Sequence, residues 1–211
     1  MNHADFVRAN VAPGAPPLVP EITLYLASEV TPLWHATEAS LERDQLPPPY
    51  WAFAWPGGQA LARYLLDNRD TARGKRVLDL GAGCGLAAIA AAMAGAARVV
   101  AAEIDPFAVA AIRLNAEMNG IAIDIESRNR LGDTAPIDAN LILIGDMCYE
   151  RPLADRLLQW LKVQRTEIIL ADPGRAYLPK SGLTLLAEYQ VPTSLDLEDR
   201  TMRETRVYRL A

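Results

Sequence analysis

The sequence predicts an α/β domain: a mostly parallel sheet with helices on both faces and an antiparallel hairpin at its C-terminal edge. Three observations carry this. Short apolar runs alternate with segments of helical apolar spacing from residue 76 to residue 171, the order that parallel strands joined by crossover helices require. A glycine-rich turn, Asp79-Leu80-Gly81-Ala82-Gly83-Cys84-Gly85, follows the first apolar run and opens a helix. Beyond Arg175 the alternation stops, and two β-rich segments follow with no helix between them.

Taken in order, Arg76 to Leu80 reads as a buried strand and Leu86 to Gly95 as an alanine-rich helix slim enough to pack close to a sheet. Arg98 to Glu103 is the second strand. Asp105 then N-caps a helix with Pro106 at its first position, and Phe107 to Met118 continues it to Asn119-Gly120. A third strand lies near Ile121 to Glu126 and a fourth at Ala139 to Gly145. Helix Arg151 to Val163 leads to the fifth strand, Glu167 to Ala171, which ends at Asp172-Pro173-Gly174-Arg175. Leu185 to Asp199 and Thr205 to Leu210 form the hairpin. Upstream, Gln59 to Asn68 carries Leu61, Tyr64, Leu65 and Leu66 at helical spacing behind Gly57-Gly58. Residues 1–50 read as an N-terminal arm and lid-like extension. The proline density from Ala12 to Pro20 sets this arm outside the regular core. Within it, Ile22 to Leu26 makes a short strand and Thr31 to Gln45 contains a helix, before Pro47-Pro48-Pro49 stops any regular element. Residues 51–211 form the main domain.

The chain has 211 residues, 51% of them hydrophobic, and a formal net charge of -5. That is enough for one domain with a substantial core. The acidic balance excludes a protein that holds nucleic acid mainly through phosphate contacts, which needs clustered Lys and Arg. Cys84 and Cys148 have neither metal-ligand spacing nor a partner framework, so reduced thiols, no metal and a cytoplasmic location are expected. No signal or transit composition opens the sequence, and no apolar run approaches membrane-spanning length. A monomer is expected, without nucleic acid or membrane. His3 and His35 belong to no triad or metal pattern.

Glycines at 81, 83 and 85 let the chain turn sharply off the strand and bring its backbone near a ligand at the next helix N-terminus. A bare strand-to-helix turn is the plain alternative. The nicotinamide fingerprint is spaced G-x-G-x-x-G; here the spacing is G-x-G-x-G, with Asp79 inside the preceding strand, where a carboxylate suits an ammonium better than a phosphate. Glu103 ends the second strand 22 positions after Gly81, where an acidic side chain accepts from ribose hydroxyls. Asp105, its rival, is better explained as a helix cap.

This stretch resembles the Rossmann-like, class I S-adenosylmethionine-dependent methyltransferases. Asp79 to Gly85 matches their first motif, and Ala101-Ala102-Glu103-Ile104-Asp105-Pro106 their second. The resemblance implies a seven-stranded sheet, S-adenosylmethionine as cofactor and S-adenosylhomocysteine as product. It puts Asp79 toward the methionine amino group, Glu103 on the ribose and Asn129 near the adenine, although Asn129 serves equally as a turn residue. Asp146-x-x-Tyr149 after the fourth strand resembles the protein methyltransferases that modify lysine and, in a few members, histidine. A closer match joins several motifs: Pro48 through Trp51, Trp55 and Gly57-Gly58 to Leu61; Gly145-Asp146-Met147-Cys148-Tyr149; Leu153-Ala154-Asp155 with Gln159-Trp160-Leu161; and Asp172 to Arg175. Together, over Pro47 to Arg175, they resemble the electron transfer flavoprotein β-subunit lysine methyltransferases. The resemblance implies that lysines of that subunit are the substrate and that residues 51–211 are a class I methyltransferase domain. Animal members are mitochondrial, whereas this chain reads as a bacterial-type cytoplasmic version. A ribosomal-protein lysine methyltransferase shares the chemistry, and a silent cofactor-binding adaptor or a nicotinamide oxidoreductase shares the sheet.

A free lysine with pKa about 10.4 is only about one part in a thousand neutral near pH 7.4, and in-line methyl transfer needs the neutral amine. A positive sulfonium and desolvation both favour that form. Asp146 favours the charged form, so its role is to bind and align the lysine nitrogen while the proton leaves to water. Its alternative is a helix N-cap near Arg151. Tyr149 offers a phenolic hydrogen bond or an aromatic wall, or is simply a core aromatic. Trp55 is assigned to the cofactor and Trp51 to the lysine channel, with buried packing the alternative for both. Asp172 and Arg175 are assigned to the substrate entrance, with an ordinary turn and ion pair as the alternative.

Overall fold

The computed structural model describes residues 2–27, 48–134, 137–194 and 198–210. In chain order its N-terminal elements are α1 (His3–Asn10), β1 (Ala12–Gly14), β2 (Leu24–Leu26) and α2 (Pro56–Asp67). There follow β3 (Arg76–Leu80), α3 (Leu86–Met93), β4 (Arg98–Ala102), α4 (Pro106–Met118), β5 (Asp124–Glu126) and β6 (Leu141–Gly145). The chain closes with α5 (Arg151–Leu161), β7 (Glu167–Asp172), β8 (Leu183–Pro192) and β9 (Met202–Leu210). Seven strands form one sheet in the order β5-β4-β3-β6-β7-β9-β8. The first five are parallel, and β9 lies antiparallel between β7 and β8.

Alternation along each strand divides the core. Val77, Leu141, Leu143 and Ile169 face α2 and α3, where Leu61, Leu65 and Ile89 meet them. Leu78, Leu80, Ile142, Ile144 and Leu170 face the other way, onto Leu157 and Trp160 of α5. Both faces are covered, which is why these strands read as continuous apolar runs. Each fully buried Leu or Ile contributes about 1.5–3 kcal/mol. The alanines of α3 leave no bulk between that helix and its neighbours; Ala88, Ala90 and Ala91 are fully buried. Asp79 shares the parity of Val77 and therefore points to the α2–α3 side.

Strand β3 has β4 on one flank and β6 on the other, so chain direction across the sheet reverses there. A crevice at such a reversal, at the carboxyl ends of the strands, is where open α/β sheets bind ligands. The glycine turn, Glu103, Asp146 and Arg175 all leave the sheet at that edge.

Two expectations need correction. The N-terminal stretch is not outside the core: Val7, Val19, Ile22 and Leu24 are fully buried. Prolines stop regular structure, but they do not stop the apolar residues between them from packing. Asn2 caps α1 by accepting the Asp5 N–H at 2.9 Å, and Phe6 packs on Phe107 of α4 with ring centroids 4.8 Å apart. Strand β1 pairs with β2. Second, the first hairpin strand stops at Pro192 rather than running to Asp199, because proline has no N–H for the ladder; its partner starts earlier, at Met202. The helix expected within Thr31 to Gln45 lies outside the described residues.

Buried Asn115 ties the N-terminal strand to the glycine turn. Its Oδ1 accepts the Tyr25 N–H at 2.7 Å and its Nδ2 donates to the Cys84 carbonyl at 2.8 Å. Asn115→Ala leaves both backbone groups without their partner, so a loss of about 2–4 kcal/mol is expected. Urea melts give the stability change; a cofactor titration shows whether the loosened Cys84 also weakens binding.

Candidate active site

The glycine turn takes conformations that side chains resist: φ is 66° at Gly81, 55° at Gly83 and 81° at Gly85. A Cβ at Gly81 would meet Met147 Sδ at 2.8 Å, whereas one at Gly83 would meet nothing within 4 Å. Gly83 thus presents bare backbone to open space. Gly85 begins α3 without a side-chain cap, and Asp79 supplies one from the preceding strand, its Oδ2 accepting the Ala88 N–H at 3.0 Å. Glu103 Oε2 accepts the Gly83 N–H at 2.9 Å, and its Oε1 accepts from Ile104 at 2.7 Å and Asp105 at 3.0 Å. Asp105 caps α4 through the Phe107 N–H at 2.8 Å.

Burial pushes the Asp79 carboxyl up to about 7 from an ordinary 3.8, against the Ala88 N–H and with a smaller push from Glu103. Between those two values the folded chain holds the Asp79 proton and the unfolded chain has released it. Stability therefore falls as pH rises from about 4 to about 7. Asp146 adds a slope of the same sign up to about 6. The cofactor-free protein should lose stability more steeply over this range than Asp79→Asn does, as read by urea melts at several pH values.

Asp146 is the only non-glycine residue with positive φ, 54°, among the described residues. Its N–H donates to the Ala171 carbonyl at 3.1 Å. Helix α2 has no side-chain cap of its own, and Asp146 Oδ2 accepts the Gly58 N–H there at 3.1 Å. The negative charge also suits the positive end of that helix. The approach is close: a Cβ on Gly57 would lie 2.5 Å from both the Ala171 carbonyl oxygen and Asp146 Oδ2. Asp146 Oδ1 accepts from Arg175 Nη2 at 3.1 Å. Arg175 in turn donates to Glu198 through Nη2 at 2.6 Å and Nη1 at 3.3 Å. Asp172 Oδ1 accepts the N–H groups of Gly174 at 2.7 Å and Arg175 at 2.6 Å. Burial pushes the Asp146 carboxyl up to about 6, with Arg175 opposing and Asp172 adding to the push.

Aromatic rings border this carboxylate. Tyr50 meets Trp55 at 5.8 Å and Tyr149 at 5.7 Å between centroids, both edge-on, and Phe53 meets Trp55 at 6.0 Å. Arg175 lies 5.9 Å from the Trp55 ring centre. Tyr149 is 39% exposed, and burial of the rest pushes its hydroxyl up to about 12, so it stays a phenol at neutral pH. Phe53 and Trp55 are shared by two cavities. One, about 60 Å³, is also lined by Gly58, Asp79, Gly81, Gly83 and Asp146; the other, about 320 Å³, has Pro16, Pro192 and Glu198 on its wall.

A family model described as ribosomal protein L11 methyltransferase matches residues 59–144. The electron transfer flavoprotein beta subunit lysine methyltransferase of Danio rerio is 43% identical over 201 residues, covering 91% of this chain and 76% of its own. The Xenopus laevis protein of the same name is 42% identical over 208 residues, covering 94% and 80%. This chain belongs to the electron transfer flavoprotein beta subunit lysine methyltransferase family. Solved structures agree in fold. A proposed RNA methyltransferase from Pyrococcus horikoshii superposes with TM-score 0.57 at 15% identity, over 84% of this chain and 96% of that one. The magnesium protoporphyrin IX methyltransferase of Synechocystis with bound S-adenosylhomocysteine gives 0.51 at 15% identity, over 72% and 80%.

In this flavoprotein-methyltransferase family member, Asp79, Gly81, Gly83, Trp55 and Asp146 line one cavity. Gly85 lies behind them, where a Cβ would meet Ile112 at 3.2 Å. Glu103 holds the turn from the side, Tyr149 stands at the rim, and Arg175 contacts Asp146 directly. Asp172 sits one step back, fixing the Arg175 backbone. Trp51 does not join them: it is 2% exposed and packs with Val7, Val11 and Leu114, because α1 docks over it. Asn129 does not either; it is exposed, and its side chain accepts the Leu131 N–H at 2.9 Å as a turn residue. Sequence reasoning missed Phe53, Gly58 and Glu198. The paired glycines at a helix start were a usable signal for Gly58. Glu198 gave none, since a carboxylate in a charged turn reads as solvated.

Proposed function

We propose that this chain transfers methyl groups from S-adenosylmethionine to lysine side chains of the electron transfer flavoprotein β subunit. The observation that carries this is the extent of likeness. The match to the flavoprotein methyltransferases covers 91% of the chain, whereas the L11 methyltransferase model stops at residue 144, just short of Asp146. In sequence, the L11 methyltransferases of Aeromonas hydrophila and Symbiobacterium thermophilum match only 40% and 33% of the chain. A ribosomal acceptor is the second reading on that ground alone.

The donor set suits the cofactor. Asp79 offers a buried carboxylate for an ammonium, whose charge would draw its proton off. Glu103, at the strand end, would take ribose hydroxyls, and bare backbone at Gly83 allows close approach. At about 60 Å³ this half-open cavity is far smaller than a nucleoside ligand needs, so most of the cofactor would lie across the open strand ends. When bound, it supplies the methyl group and a positive sulfonium.

Asp146 has oxygens held at fixed positions by Gly58 and Arg175, so a lysine nitrogen meeting it is aligned without reorganisation. With its carboxyl near 6 against an amine near about 10.4, Asp146 is ionised at pH 7 and too weak a base to deprotonate lysine. The proton leaves to water, and the carboxylate orients the nitrogen. Tyr149, a phenol at this pH, gives or accepts a hydrogen bond beside it, and Trp55 and Tyr50 offer π faces to the cationic product.

We further propose a cytoplasmic monomer in which residues 51–211 are the methyltransferase domain and the N-terminal arm completes its core; fractionation of the host cell and sedimentation are the tests of location and state. For the acceptor, labelled cofactor is given to the enzyme with equal amounts of flavoprotein and ribosomal protein L11. Label on the β subunit is expected. Label only on L11 would favour the second reading, and cofactor binding with no label on either would favour an adaptor.

A further inference from the structure

We propose that Glu198, in the turn between β8 and β9, is a positioning residue for lysine capture: it takes up Arg175 and leaves the site one negative charge in excess. This rests on the reading that Asp146 receives the target lysine. Three carboxylates, the buried Asp172 and Glu198 and the Asp146 side chain at 11% exposure, face two guanidiniums, Arg175 and Arg203. The Glu198 side chain is 3% exposed. It accepts from Arg203 Nε at 3.0 Å and Nη2 at 2.8 Å as well as from both terminal nitrogens of Arg175. Arg203 also meets Asp199 at 2.9 Å, but that carboxylate is 68% exposed and screened by solvent.

The division of Arg175 is unequal. Glu198 receives two contacts, the shorter at 2.6 Å, while Asp146 receives one at 3.1 Å. An arginine fork pairs best with a carboxylate through two parallel bonds. Without the Glu198 charge, Arg175 would turn that fork onto Asp146 and occupy the oxygens a lysine needs. A further sign of unfilled demand is Asp172 Oδ2, buried and without a partner among the described residues. One more cation balances the cluster, and the amine-bearing substrate is a cation of that charge. Glu198 also stands on the wall of the 320 Å³ cavity beside Trp55, so the excess charge is felt along an approach to the site.

The test compares wild type, Glu198→Gln and the double variant Glu198→Gln/Arg203→Gln, which restores the single excess negative charge. KM and kcat are measured on the flavoprotein. Binding of butylammonium, beside neutral butanol, is measured on protein loaded with S-adenosylhomocysteine. Glu198→Gln should raise KM roughly tenfold with a smaller change in kcat, and weaken butylammonium alone by a similar factor. The double variant should recover only part of both, through the restored net charge, because Arg175 is still free to turn onto Asp146; cofactor affinity should be unchanged throughout. Unchanged KM and butylammonium affinity in Glu198→Gln overturn the proposal, as does a stably folded double variant no better than the single. If Glu198→Gln fails to fold, the double variant decides: it still lacks the carboxylate that takes up Arg175, so a KM equal to wild type overturns the proposal. Wild type that ignores butylammonium also overturns it. Wild type that binds butylammonium in this charge-dependent way but never methylates the flavoprotein leaves the charge account standing and removes the substrate reading.

Discussion

Asp146→Asn is expected to slow methyl transfer by roughly a hundred- to a thousandfold while cofactor affinity stays within about twofold. The carboxylate is asked to accept from three donors at once: the Gly58 N–H, Arg175 and the incoming lysine. An amide keeps one accepting oxygen and turns its other end into a donor, so it can satisfy Gly58 or Arg175 but repels whichever donor meets its NH2 group. Placing the oxygen toward Gly58 preserves the cap of α2, and the folding cost should stay near about 1–3 kcal/mol. Asp146→Ala is the harsher variant because it removes the cap as well as the alignment. Single-turnover rates beside calorimetric cofactor binding separate the two contributions. A rate within a few fold of wild type would show that lysine is aligned elsewhere.

Gly57→Ala should cost about 3–5 kcal/mol, a large share of the roughly 5–15 kcal/mol that holds a domain of this kind together. The added methyl would sit 2.5 Å from the Ala171 carbonyl and from Asp146 Oδ2. One is sheet backbone and the other belongs to a carboxylate pinned at Oδ2 by Gly58 and at Oδ1 by Arg175, so neither yields cheaply. Overpacking of this sort costs about 1–3 kcal/mol. Moving the helix start also breaks the charge-assisted bond from Gly58 to Asp146, about 1.5–3 kcal/mol more. The expected fall in melting temperature is about ten degrees. Gly58→Ala is the control, since a Cβ there meets nothing within 4 Å; its stability should hold or rise slightly. Equal melting temperatures for the two variants would mean that α2 is not seated against Asp146 as described.

Much of the scaffold was legible because its signals are local. Buried parallel strands read as apolar runs whatever surrounds them, and a glycine turn between strand and helix carries its own spacing. Asp146 could be placed because it ends such a run. What held Asp146 could not be read: its partner Gly58 is 88 positions away, and only the return of α2 to the sheet brings them together. Trp51 was misassigned for a similar reason, since its burial depends on α1 docking across α4. Prolines between Ala12 and Pro20 read as breakers, which hides that Val19 among them is fully buried and Leu18 partly so. Glu198 was hidden most completely. Charged side chains in turns are ordinarily solvated, and this one is buried because Arg203, five residues on, and Arg175, 23 positions back, converge on it.

The most direct test is the intact mass of the flavoprotein β subunit after incubation with S-adenosylmethionine and this protein, beside the Asp146→Asn variant. Mass steps of single methyl groups with wild type, absent or strongly slowed with the variant, are predicted. An unmodified β subunit, under conditions where cofactor binding is verified, would contradict the account; so would equal methylation by the two proteins.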